Sequence, residues 1–274
     1  MPSILITGVS SGIGRACANL YATRGYDVTG TVYGAVEMPE GLDERVAIES
    51  LDLGAPGSAT ALASTVLDRY GCPDILLNNA GILTFGPLEN ASHDDLQRIF
   101  QINLLGQLEL IQSLLSALRE RGSGTIANIT SLGGTLTFPF FGAYNATKWA
   151  FEGVSEGLWH ELKPFGIRVK AIEPGFVQTA IWSTALPDKD APTPGDAAYA
   201  PYIHAMLDFE ATVTNRTSPD AAAIEVATAI DDTSARLRYP IAAYARPITR
   251  ARGLIGKQKV MGFFHRRWMG PNSS

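Results

Sequence analysis

Cysteine is scarce in this chain: Cys17 and Cys72 are the only two among 274 residues. Neither sits in a C-x-x-C pair or beside histidines, so a disulfide framework and a thiolate metal site are both excluded. Free thiols in a reducing cytoplasm are expected. His93, His160, His204 and His265 lie far apart and show no ligand spacing, so no metal is expected. No run of about 20 apolar residues lacks charge, which excludes a membrane-spanning helix. The opening MPSILITGVSSG has no basic segment and reads as a strand entering a glycine turn, not as a signal peptide. Acid is missing from one end: residues 233–274 hold nine Lys and Arg and no Asp or Glu. All 27 acids therefore fall before residue 233, although the net charge is only −5. An acidic body is a poor partner for nucleic acid.

What is present is an alternation of apolar runs and amphipathic segments. Strands are predicted over 3–7, 26–33, 46–51, 74–77, 124–130 and 167–172, and helices over 15–24, 55–70, 94–119 and 143–163. Strand and helix alternating in this way indicate an α/β fold. It is expected to be a single Rossmann-type, doubly wound parallel sheet of about seven strands with helices on both faces. No linker or repeat appears before about residue 230. One domain is expected over 1–240, with a long segment at about 176–217 after the last predicted strand and a basic extension over 241–274.

The segment 128–148, NITSLGGTLTFPFFGAYNATK, carries the candidate chemistry. Thr130 and Ser131 fall at the carboxyl end of a predicted strand, where open α/β sheets bind ligands. Tyr144 and Lys148 are four apart, on one face of the helix that follows. An ammonium near a phenol favours the phenolate and lowers its ordinary pKa of about 10. A Ser131 hydroxyl could hydrogen-bond the oxygen that Tyr144 protonates, which suggests general acid–base chemistry at a carbonyl or alcohol. At the other end of the chain, Gly8-Val9-Ser10-Ser11-Gly12-Ile13-Gly14 stands between a strand and a helix. In that context glycines admit a pyrophosphate to a helix N-terminus.

With these motifs in order, the chain resembles the short-chain dehydrogenase/reductase family. Thr7-Gly8-x-x-x-Gly12-Ile13-Gly14 resembles its T-G-x-x-x-G-I-G turn and Asn78-Asn79-Ala80-Gly81 its N-N-A-G strand end. Asn103, Ser131, Tyr144 and Lys148 fall in the order of its catalytic tetrad, and Pro174-Gly175-x-Val177-x-Thr179 resembles its P-G-x-V-x-T loop. The resemblance covers roughly 1–240. It implies Tyr144 as acid/base and Lys148 as the group that lowers its pKa and binds the nicotinamide ribose. It further implies Ser131 orienting the substrate oxygen and Asn103 holding a water that relays protons. Taken alone, Asn103 reads equally as a polar residue capping a helix kink. The resemblance also assigns Gly8, Ser10, Ser11, Gly12, Ile13 and Gly14 to the phosphates and Asp52 and Leu53 to the adenine. Asn79, Ala80 and Gly81 fall to the adenosine ribose, and Pro174, Gly175, Val177 and Thr179 to the nicotinamide side. Lys148 and Tyr144 complete the cofactor set.

One departure concerns the ribose 2′ position. The family's pattern puts an acid for NAD, or an arginine just after it for NADP, at the end of the second strand. Here Val32 and Tyr33 occupy those places, and Ser11 the other basic position. No acid repels a phosphate, so NADP(H) is favoured with NAD(H) as the alternative. The resemblance makes 176–217 a substrate lid carrying Trp182, Tyr199, Tyr202, Met206 and Phe209, with Phe138, Phe140 and Phe141 on the opposite wall. It implies a cytoplasmic alcohol dehydrogenase or carbonyl reductase, and the aromatic weight suggests a bulky apolar alcohol or ketone. A non-catalytic dinucleotide sensor is the rival reading. Apolar residues beyond one stripe on 94–119 and 143–163 suggest a homodimer or homotetramer. In the tail, Leu254, Ile255, Met261, Phe263, Phe264 and Trp268 intermingle with cations. A membrane-surface helix is the less favoured reading there, because Gly253, Gly256 and Gly262 should interrupt it; packing on the body or a neighbouring subunit is favoured.

Overall fold

The computed structural model describes residues 1–186 and 197–269. Seven parallel strands form one sheet in the order β3-β2-β1-β4-β5-β6-β7. The strands are β1 (Ser3–Ile6), β2 (Asp27–Val32), β3 (Ala47–Ser50), β4 (Ile75–Asn78), β5 (Gly124–Ile129), β6 (Ile167–Pro174) and β7 (Arg238–Ile241). Ile4, Leu5 and Ile6 are each at most 1% exposed. Both faces of β1 are therefore covered, and its apolar residues run continuously instead of alternating.

Helices α1 (Gly12–Thr23) and α8 (Pro219–Asp231) close one face, packing Cys17, Tyr21, Val226 and Ile230 on β1 and β2. On the other face lie α2 (Ser58–Tyr70), α4 (Gly106–Arg121) and α5 (Gly142–Leu162), which bury Leu62, Leu110, Leu114 and Phe151. Each fully buried Leu or Phe contributes about 1.5–3 kcal/mol. The strand order reverses between β1 and β4, and that opens a crevice at their carboxyl ends.

The helix expected over 94–119 is not one α-helix. It runs as α3 (His93–Phe100), a π turn (Gln101–Leu105) and α4. The first turn of α3 is capped by Ser92, whose hydroxyl accepts the Asp95 N–H at 3.0 Å. Further along, Leu104, Leu110, Ile111, Phe151 and Leu158 are buried in the chain's own core. The apolar surface left for a partner on these helices is thus smaller than the sequence suggests, with Leu105 half exposed and Leu108 and Val154 partly buried.

Beyond the sixth strand come α6 (Ala180–Ala185), α7 (Ala200–Thr212), α9 (Ala245–Ile255) and α10 (Lys257–Trp268). The stretch 187–196 of the expected lid lies outside the described residues. Gly256, at φ 86°, does separate the two tail helices, but Gly253 and Gly262 lie inside them and interrupt neither. The tail packs on the body. Val260 is buried, the Phe264 ring meets Phe138 at 5.9 Å, and Lys257 Nζ stands 3.8 Å over the Trp149 ring. No helix among the described residues is long and apolar enough to cross a membrane.

Candidate active site

The site begins where β1 and β4 leave the sheet. The Thr7 hydroxyl accepts the N–H groups of Asn79 and Ala80 at 2.9 and 3.0 Å. In return Asn79 Nδ2 donates to the main-chain oxygens of Thr7 and Gly8 at 2.9 and 3.1 Å. Gly8 sits at φ 74°, where a side chain would be strained and its Cβ would lie 3.0 Å from Ala80. Gly14 is tighter still: a Cβ there would lie 2.1 Å from the Gly8 oxygen and 2.4 Å from Asn79 Nδ2. These two glycines hold the N-terminus of α1 against the turn, with its unpaired N–H groups toward the crevice. Gly14→Ala is expected to force the turn open at a cost of about 1–3 kcal/mol. A lowered Tm would report it; an unchanged Tm would show that the turn is not a rigid cradle.

A cavity of about 650 Å³ runs from this turn along the carboxyl edge of the sheet. All the cofactor-side residues expected from the sequence line it except Gly14, which stands behind Gly8. Val32 and Tyr33 share the turn's end with Ser10, Ser11 and Thr31, and Asp52 and Leu53 close it. The Asp52 carboxylate accepts the Gly54 N–H at 2.8 Å and so shapes its own loop. Arg15, whose guanidinium donates to the Glu40 carbonyl at 2.7 Å, is turned to a neighbouring loop.

Ser131, Tyr144 and Lys148 come together at the middle of the cavity. The Ser131 hydroxyl accepts the Gly133 N–H at 2.9 Å, and it acts on the Tyr144 phenol to lower its pKa. Lys148 is only 5% exposed, and its ammonium donates to the Ile129 carbonyl at 2.9 Å. Burial pushes it down to about 8, against the opposing pull of Glu152. The expected lowering of Tyr144 by Lys148 is not found. Burial holds the phenol above its ordinary value, and only Ser131 opposes this. Lys148 Nζ lies 5.9 Å from the centre of the Tyr144 ring, and its hydrogen bond goes to the strand carbonyl.

Asn103 lies in the π turn, 1% exposed, and does not line the cavity. Its Oδ1 accepts the Ile82 N–H at 2.8 Å, while its Nδ2 donates to the Ile82 oxygen at 2.8 Å and to the Thr147 hydroxyl at 3.2 Å. Both amide protons are engaged, so this side chain ties α5 to the loop after β4.

At the far end the wall is aromatic, but not all the expected rings reach it. Phe138, Phe141, Trp182, Met206 and Phe209 line the cavity. Trp182 stacks on Phe176 with ring centres 5.7 Å apart. Phe140, at φ 64°, turns its ring toward Phe85 and Tyr199 instead. The Tyr199 hydroxyl donates to Glu89 at 2.7 Å, and Tyr202 is at the surface. The sequence did not single out Thr31, Arg98, Ile102 or Asn145, which also line the cavity. For Thr31 and Asn145 a signal existed, since one precedes Val32 and the other follows Tyr144. Arg98 and Ile102 arrive from α3 and the π turn, and nothing local marks them.

The family model for short chain dehydrogenases matches residues 2–190. An oxidoreductase of Schizosaccharomyces pombe, itself uncharacterised, is 32% identical over 83% of this chain and 94% of its own. The NADPH-dependent 3-dehydrocapnine reductase of Ornithobacterium rhinotracheale is 31% identical over 66% of this chain and 67% of its own. Among solved structures, a short-chain dehydrogenase from Streptomyces avermitilis superposes with a TM-score of 0.79 at 33% identity, covering 98% of this chain and 96% of that one.

Proposed function

The chain belongs to the short-chain dehydrogenase family, and from that premise we propose that it interconverts a bulky apolar alcohol and its ketone or aldehyde, with Tyr144 as the acid/base. One observation carries this reading: the Ser131 hydroxyl, the Tyr144 phenol and the Lys148 ammonium meet between a glycine cradle and an aromatic wall in a single cavity. Its family uses NAD(P)(H). The fit to a dinucleotide rests on the cradle, where a Cβ at Gly8 or Gly14 would collide, and on the unpaired N–H groups of α1. Gly8, Ser10, Gly12 and Ile13 would hold the phosphates, and Lys148, Val177 and Thr179 the nicotinamide half. When bound, the nicotinamide gives or takes the hydride.

The chain's own residues then handle the proton. A carbonyl oxygen lodged between Ser131 and Tyr144 would accept two hydrogen bonds, and Tyr144 would give up its proton as charge develops there. A phenol held protonated by burial is the form this step requires. Lys148 has one hydrogen-bond acceptor among the described residues, which leaves ammonium protons for ribose hydroxyls. Any water held by Asn103 would have to use the main chain of the π turn, because its side chain is engaged. Phe138, Phe141, Trp182 and Phe209 would exclude water from the substrate. NADPH and NADH oxidation against a panel of bulky ketones and aldehydes tests the reading. Turnover confined to small polar carbonyls, or none at all, would sink it.

For the cofactor we favour NADP(H) over NAD(H). Val32 is buried at the end of β2 and bears no charge, the hydroxyls of Ser10, Ser11 and Thr31 stand nearby, and one relative uses NADPH. Tyr33 is 80% exposed beside this end and free to be replaced. Tyr33→Arg should raise the ratio of kcat/KM for NADPH over NADH by about tenfold or more, since a hydrogen bond to a charged group contributes about 1.5–3 kcal/mol. Val32→Asp should reverse the preference. If neither moves the ratio, the 2′ position is held by other residues.

A further inference from the structure

Arg216 does not line the cavity, yet its guanidinium contacts three residues that do: Glu210, Phe176 and Trp182. It follows the end of α7, and its side chain is 16% exposed. Its Nε donates to the Val213 carbonyl at 3.1 Å, and its Nη2 donates to the Glu210 carboxylate in an ion pair. Carbonyls at a helix end lack partners within the helix, and a cation there also meets the negative end of the helix dipole. These bonds to two groups fix the plane of the guanidinium against the end of α7.

The same guanidinium meets two rings. Arg216 Cζ stands 5.8 Å from the centre of the Phe176 ring and 5.8 Å from that of Trp182. Those rings stack on each other with an interplanar angle of 11°. A guanidinium within about 6 Å of an aromatic ring centre is attracted to it. Trp182 needs such contacts, because α6 is only six residues long and a helix so short does not hold itself. Its ring also meets Phe141 edge-on at 5.8 Å.

The main chain next to Arg216 is fixed. Thr217 donates its N–H to the Phe176 carbonyl at 3.0 Å and accepts the Gln178 N–H at 2.9 Å. Its hydroxyl accepts the Ala243 N–H at 2.9 Å. Arg216 therefore extends from a rail bonded on both sides of Val177, a residue read above as nicotinamide-side. It joins that rail to the end of α7 and to the Trp182 ring.

We infer that Arg216 is a positioning residue for the substrate wall: ion-paired to Glu210 and laid against Phe176 and Trp182, it holds the Trp182 ring in place beside the nicotinamide-side loop. The inference rests on the reading of the cavity as the site of a bulky apolar alcohol or ketone. Arg216 also matches the Glu210 charge, so that an apolar substrate meets rings and not a bare carboxylate.

The test is steady-state kinetics of the full chain at saturating NADPH, with the bulkiest and the smallest carbonyl compounds turned over in the panel above. In Arg216→Met, KM for the bulkiest should rise by about 3- to 30-fold, the range of one or two cation–ring contacts. Its kcat should stay within about twofold, as when binding alone is lost. The Kd for NADPH, read by fluorescence titration, should not move. KM for the smallest compound, which fills less of the cavity, should change far less. Arg216→Met made in a Trp182→Leu background should raise KM no further, because the ring through which it acts is gone. Arg216→Lys keeps the charge but lacks the planar fork, and should raise KM in the same direction.

A merely structural role would lower Tm and leave this KM pattern unmoved. An unmoved KM, an equal rise for the smallest compound, or effects of the two substitutions that multiply overturns the inference. If Arg216→Met does not fold, Arg216→Lys decides by the same comparison. Failure of the wild-type protein to turn over any bulky carbonyl compound removes the substrate reading and this inference with it. Turnover with KM unmoved in Arg216→Met removes this inference alone.

Discussion

Tyr144→Phe is expected to lower kcat by about 10²–10⁴-fold, the usual contribution of a positioned proton donor. The substitution removes one oxygen and leaves the ring, the glycine cradle and Lys148 in place. NADPH affinity should therefore be nearly unchanged, as read by the same fluorescence titration. Ser131 would remain to hydrogen-bond the substrate oxygen, but an aliphatic hydroxyl is a far weaker acid than a phenol. The pH profile sharpens the test. Burial holds the Tyr144 phenol above its ordinary value, so the protonated form persists through neutral pH. Ketone reduction by the wild-type protein should be insensitive to the phenol across that range and decline only as pH rises past its transition. Turnover by Tyr144→Phe at the wild-type rate would end the assignment.

Lys148→Met should be as damaging, but by a different route, because it strikes binding as well as turnover. The ammonium is buried against the Ile129 carbonyl, and its remaining protons are the donors available to ribose hydroxyls. Loss of a hydrogen bond to a charged group is worth about 1.5–3 kcal/mol, or about 10- to 100-fold in the Kd for NADPH. Methionine fills a similar volume, so a cavity does not confuse the comparison. Lys148→Arg should not rescue, since a planar guanidinium needs more room and a different set of acceptors. A Kd for NADPH equal to that of the wild type would remove Lys148 from the cofactor site.

Much of the site was legible because it depends on short stretches of chain. Gly8 and Gly14 are required by a positive φ and by the absence of room for a Cβ, and both constraints arise within one strand–turn–helix unit. Tyr144 and Lys148 share a face because α5 is helical, and their spacing says so. The sixth and seventh strands illustrate the boundary. β6 reads as a strand from its alternating I-R-V-K-A-I, whereas β7 is four residues, R-Y-P-I, with a proline inside. A proline argues against a strand except at a sheet edge, and β7 is the edge. Whether an edge existed there could not be read from those four residues.

The sequence by itself therefore determined the sheet, the glycine cradle and the residues that gather at its carboxyl edge. Each of these follows from local periodicity or from the sterics of neighbouring residues. Only the tertiary structure decided how those residues behave. It turned Phe140 away from the cavity, engaged the Asn103 amide, and kept the Tyr144 phenol above its ordinary value. It also brought Arg238 to Glu152 across 86 positions of chain. Burial and long-range charge set these properties, and neither is written in the spacing of nearby residues.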